Sequence, residues 1–215
     1  MRTFERLACK LGRNDEVPNI ELAEELSRNN DRAGIEEIVD GFIGTDKAIA
    51  NDCIKVLYEI GERKPELIAD YASEFIAHLR SKNNRLAWGS MTALAKIVEH
   101  APKPIYEKLP IVTAAYEDGS VITVDNSISV FAGLCKVDKS YAKEVMPILI
   151  SHLQKCKPKE VPQHAERASV CFNGENAGVF SEVLVKRLPH LAATGQTRVK
   201  KLLKKLDELG ATIMK

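Results

Sequence analysis

Five histidines are the residues of this chain best suited to bind a metal or move a proton near neutral pH, and their spacing limits what they can do. His78 and His152 stand 74 residues apart, in the matching runs Ile76-Ala77-His78-Leu79 and Ile150-Ser151-His152-Leu153. That separation is two steps of a 37-residue repeat, so the pair is too distant to share one ion and is expected to serve the same packing or capping role twice. His100 follows Glu99, while His164 and His190 stand alone. The chain has no His-Glu-x-x-His motif and no His-Glu dipeptide, so no metal and no cofactor are expected. Nucleophile and phosphate chemistry lack their motifs as well: there is no Gly-x-Ser-x-Gly, no Walker loop and no Gly-x-Gly-x-x-Gly. The expectation is a non-catalytic protein.

The repeat itself defines the elements that must carry any working surface. Ala50, Ile54, Leu57 and Ile60 step by 37 onto Ala87, Met91, Leu94 and Ile97, and by another 37 onto Val124, Ile128, Phe131 and Leu134. Spacings of 4, 3 and 3 within each set make one apolar face of a helix. A second series runs through Ile35, Ile38, Val39 and Phe42, then Ala72, Phe75, Ile76 and Leu79, then Leu109, Val112, Thr113 and Tyr116, then Met146, Leu149, Ile150 and Leu153. Pro65 and Pro102 separate the two series, ending one helix and opening the next, where a missing N–H costs nothing. A fixed period of this size indicates stacked helical hairpins. The first hairpin is expected over roughly 17–43 and the last over roughly 159–194, the last displaced by about five residues. Asn173 to Gly178 should be a loop. Short helices are expected at 2–11 and at 196–210, the latter stopped by Gly210.

Exposed positions of the second helices then fall into columns. Asp70, Glu107 and Glu144 occupy one such position at steps of 37, and neighbouring helices about 8–10 Å apart would align them as an acidic ridge. The last hairpin places Lys186 there. Ile111 and Ile148 form an adjacent apolar pair, flanked by Glu74 and His190, and Ala77, Ala114, Ser151 and Ala193 form a smooth column beside it. Trp88 is the odd residue of its own column, whose other members are Asn51 and Asp125. It is either a local wedge against Ala95 or an exposed platform for stacking.

Bulk properties remove other classes. A net charge of +1 gives no global attraction to nucleic acid or anionic lipid. No apolar run approaches the length of a membrane span, and Met1 to Arg6 lacks the pattern of a signal peptide. Five scattered cysteines without Cys-x-x-Cys spacing read as reduced thiols in a cytoplasmic protein. The charge is nevertheless uneven. Residues 15–40 hold nine acids against Arg28 and Arg32, a net of −7, while residues 186–205 hold seven bases and no acid, a net of +7. In a stacked array these ends lie far apart, which predicts salt-sensitive head-to-tail self-association.

The hairpin period, the dipeptides Leu109-Pro110, Met146-Pro147 and Leu188-Pro189, and the run Ala93-Leu94-Ala95-Lys96-Ile97 resemble the HEAT-repeat (armadillo-type) family over nearly the whole chain. The resemblance implies an all-α, right-handed superhelix of about five hairpins with capping helices, one repeat domain over 1–215, with second helices lining a concave face. Such proteins mostly bind other macromolecules. The segment Trp88-Gly89-Ser90-Met91-Thr92-Ala93-Leu94 is similar to the HEAT-like DNA alkylation-repair proteins, with Ser90-Met91 where that family carries an arginine pair for phosphate. The leading expectation is a scaffold that captures a protein or peptide, with a basic one suited to the acidic ridge, through Asp70, Glu107, Glu144, Ile111, Ile148 and Trp88. The alternative is a nucleic-acid-binding relative of the repair glycosylases, with Trp88 at the nucleotide and Lys186, Arg187, Lys200, Lys201 and Lys204 on phosphates.

Overall fold

The computed structural model describes residues 3–213, and among these there is helix and no strand. The elements are α1 (Val17–Asn29), α2 (Arg32–Ile43), α3 (Lys47–Arg63), α4 (Ala72–His78), α5 (Asn84–Ile97), α6 (Pro102–Glu107), α7 (Leu109–Asp118), α8 (Val121–Val137), α9 (Lys139–Lys155), α10 (Val161–Ala168), α11 (Ala177–Arg187) and α12 (Ala193–Ile213). Short 3-10 turns cover Thr3–Arg6, Pro65–Leu67, Ala69–Tyr71, Ser169–Cys171 and Leu188–His190. The helices fall into two compact units, Met1–Ser127 and Ile128–Lys215, with the boundary inside α8.

The first unit is organised on α3, which packs against α1, α2 and α5. Its apolar face is the one read from the repeat: Ala50, Ile54, Leu57 and Ile60 are all buried, as are Met91, Leu94 and Ile97 of α5. Gly89 of α5 permits the α3–α5 approach, since a Cβ there would stand 2.6 Å from Ile54 Cγ1. In the second unit α11 packs on α9 and α12, and α10 on α9 and α12. Phe180, Val183 and Leu184 of α11 and Val199, Leu202 and Leu206 of α12 supply buried side chains.

Helix starts also follow the period. Asp46 accepts bonds from Ala48 N and Ile49 N, Asn83 from Arg85 N, and Ser120 Oγ from Thr123 N, so one N-cap position recurs at 46, 83 and 120. Adjacent hairpins are tied by polar bonds: Asn83 donates to Asn51, and Asn126 to Thr92.

The second arms are less regular than the repeat predicts. Pro65 opens a 3-10 turn, and only Ala72–His78 is α-helical in that arm. Pro102 opens α6, and the arm breaks again at Lys108, so that Pro110 falls in the first turn of α7, where its missing N–H costs nothing. The equivalent Pro147 instead lies inside an unbroken α9. The expected opening helix is a 3-10 turn followed by bends to Gly12 (φ +66°); Arg2, its first expected residue, lies outside the described residues. Gly210 does not stop the last helix, which continues to Ile213. The expected loop covers 172–176, and α11 already contains Ala177 and Gly178.

Candidate functional site

The three repeat-equivalent carboxylates stand on three different local structures. Asp70 sits on the 3-10 turn Ala69–Tyr71, with a side chain 84% exposed and 3.9 Å from Arg32. Glu107 is the last residue of α6 and lies 3.9 Å from Lys103. Glu144 is exposed on the second turn of α9. Contacts of 3.9 Å between exposed groups hold little energy and leave both carboxylates able to exchange partners. Ile111 and Ile148 are half-buried, on α7 and α9 respectively. Beside Glu144, an open apolar hollow of about 340 Å³ is lined by Ala142, Lys143, Met146, Pro147, Ile150 and Val179. In the first unit a second hollow of about 360 Å³ has Ala87, Ala114 and Ala115 as its smooth wall and Arg80 and Asp118 as its charges.

Trp88 is half-buried and contacts Tyr58 and Arg85. Its ring lies 5.9 Å from that of Tyr58, tilted by 46°, and the Arg85 guanidinium sits 5.8 Å from its centroid. Beneath this stack lies a charge network. Lys55, with a side chain only 8% exposed, bonds Glu16 at 3.0 Å and Glu59 at 2.9 Å; Arg85 joins Glu16, and Arg63 joins Glu59 at 2.7 Å. Burial pushes the Glu16 and Glu59 carboxyls up, but their cationic partners outweigh it and hold both below the usual range. Burial likewise opposes the charge on Lys55, and the two carboxylates more than restore it. Trp88 thus adjoins the network through Tyr58 and Arg85.

Part of the charge asymmetry seen in sequence is compensated by ion pairs. In the acidic segment Glu25 pairs with Arg6 at 2.7 Å, Glu37 accepts from Thr3 N, and Asp31 caps α2. In the basic segment Lys186 pairs with Glu182 at 2.5 Å and Arg198 with Glu166 at 2.5 Å. Arg187 donates to the carbonyls of Gln154 and Cys156 at the end of α9. Lys205 bonds the Ser169 carbonyl, whereas Lys200, Lys201 and Lys204 project exposed from α12.

The histidines depart furthest from expectation. His78 bonds the carbonyl of Glu74, one turn back, and packs against Phe42 with ring centroids 4.1 Å apart. Its repeat partner His152 does something else: its Nε2 lies 2.7 Å from Nδ1 of His164. His164, isolated in sequence, is therefore one half of a buried imidazole pair. The spacing His152-x3-Cys156-x7-His164 carried this signal, because the first two share a helix face and a short loop returns the third.

No protein-family model matches the chain, and no curated protein matches it in sequence. Solved structures do match in fold. An engineered protein aligns over 97% of this chain and 98% of its own, with a TM-score of 0.67 and 17% identity. A designed armadillo repeat protein in complex with a (KR)4 peptide aligns over 86% of both chains, with a TM-score of 0.62 and 13% identity. Computationally designed armadillo repeat proteins for modular peptide recognition align over 94% of this chain and 97% of theirs, at a TM-score of 0.62 and 13% identity. The fold is the HEAT/armadillo type of all-α helical repeat. No helix among the described residues is long and apolar enough to cross a membrane.

Proposed function

We propose that residues 1–215 act as one repeat domain that binds an extended, basic protein segment through its second arms. The observation that carries this reading is the combination on those arms of exposed, weakly held carboxylates at Asp70, Glu107 and Glu144 with half-buried apolar side chains at Ile111 and Ile148. An extended peptide places alternate side chains on one surface, so regularly repeated carboxylates suit lysines and arginines while apolar gaps seat its stem atoms. A designed protein of this fold holding a (KR)4 peptide supports the same pairing of scaffold and ligand.

Partner capture tests it. The triple variant Asp70→Ala, Glu107→Ala, Glu144→Ala should lose about 1–3 kcal/mol of binding free energy, roughly ten- to a hundredfold in affinity, with helicity unchanged. Equal capture by the triple variant and the parent would reject the proposed surface.

A further inference from the structure

We propose that His152, Cys156 and His164 form a binding site for a borderline transition-metal ion, with Zn²⁺ the ion that best suits the ligand set. Each residue offers one ligand atom, and the three atoms lie within 4.8 Å of one another. His152 and Cys156 sit one turn apart at the end of α9, and Cys156 is that helix's C-cap. His164 comes from the first turn of α10, which packs against α9.

The imidazole pair is the strongest element. Nε2 of His152 and Nδ1 of His164 face each other at 2.7 Å, so both nitrogens point at a common place now filled by one shared proton. A dication there replaces that proton. The ring planes are tilted by 53° with centroids 4.7 Å apart, so the rings are not stacked face to face. Zn–N bonds of about 2.0–2.1 Å set tetrahedral nitrogens roughly 3.3 Å apart, so the rings need open by only about half an ångström. Cys156 closes the third corner by rotation. It is half-buried, its Sγ is held only by a 4.0 Å contact to the Leu153 carbonyl, and its backbone is already extended at the helix end.

Ligand chemistry selects the ion. Two imidazoles and a thiolate contain no oxygen, which disfavours Mg²⁺ and Ca²⁺ and favours Zn²⁺, Co²⁺ or copper. Three protein ligands leave a fourth position, reached from solvent on the Cys156 side, for water or a partner's donor atom. Burial pushes the Cys156 thiol up to about 11, against the opposing field of the Arg187 guanidinium on the Cys156 carbonyl, so the thiolate forms as the metal binds. Binding releases the thiol proton to solvent, while the proton between the rings passes to the outer nitrogen of the ring that carried it, so both imidazoles bind neutral and the loaded site gains one net positive charge.

Cobalt titration of the metal-free full chain tests the site. One Co²⁺ should bind per chain and give a thiolate-to-cobalt charge-transfer band with the intense visible bands of four-coordination, both erased by Zn²⁺. Cys156→Ser should abolish the charge-transfer band and weaken affinity by roughly tenfold or more, with circular dichroism unchanged. His164→Gln should weaken binding similarly; because His164 is buried, Cys156→Ser is the deciding variant if His164→Gln unfolds. Absence of saturable cobalt binding, or an unchanged charge-transfer band in Cys156→Ser, would overturn the assignment.

Discussion

Lys55→Ala will lower the stability of this protein by about 3 kcal/mol, seen as a fall in thermal midpoint of roughly 6–12 °C. Lys55 is nearly enclosed and holds Glu16 and Glu59 at once. Removing one member of a buried ionic cluster leaves the others to bear their desolvation without its field, which is why breaking such pairs costs about 3–5 kcal/mol. The lower end applies here because Arg85 remains on Glu16 and Arg63 on Glu59. A loss below about 1 kcal/mol would show that the cluster contributes little net free energy. Lys55→Met, which keeps the packed stem, should recover part of the loss.

The same cluster sets a pH signature. Glu16 and Glu59 have folded pKa values below their unfolded ones. Their contribution is therefore complete above an ordinary carboxyl pKa of about 4.3 and fades as pH falls through the depressed values. Lys55 is shifted upward, so its contribution is complete below an ordinary lysine pKa of about 10.4 and is lost only as pH climbs through the raised one. Urea unfolding in the acid range should show a shallower pH dependence in Lys55→Ala than in the parent.

Phe42→Ala should be still more costly, about 3–5 kcal/mol, through the cavity left when a fully buried ring is removed. Phe42 lies 5.7 Å from Phe75 and 4.1 Å from His78, joining α2 of one hairpin to α4 of the next. In a repeat array each hairpin is held by its neighbours, so loss of this joint should be felt locally. Hydrogen exchange should show protection falling in α1 to α4 while α9 to α12 keep theirs. A uniform loss over both compact units would contradict that locality.

The core was readable in sequence because burial repeats at a fixed step: Ile54, Met91 and Ile128 are equivalent, and all three are fully buried. Second arms were readable in phase but not in geometry. The same proline position starts a helix at Leu109-Pro110 and lies within one at Pro147, so the dipeptide alone does not fix the helix boundary. Charge was least readable. Runs of like sign around 15–40 and 186–205 say nothing of partners distant in sequence, such as Glu16 with Arg85, 69 residues away, or Glu166 with Arg198, 32 away. The pairing of His152 with His164 escaped the repeat logic because it departs from the repeat: position 78 has no equivalent partner, and the change of role at 152 depends on the short loop before α10.

The proposed basic-segment partner makes one direct demand. Fluorescence anisotropy of a labelled Lys-Arg repeat peptide and of a labelled DNA duplex, each titrated with the full chain at low and physiological salt, should show saturable peptide binding that weakens with salt and is reduced by the Asp70, Glu107 and Glu144 alanine triple variant. Saturable binding of the duplex with none of the peptide would contradict the account and favour Lys200, Lys201 and Lys204 as a phosphate-binding surface.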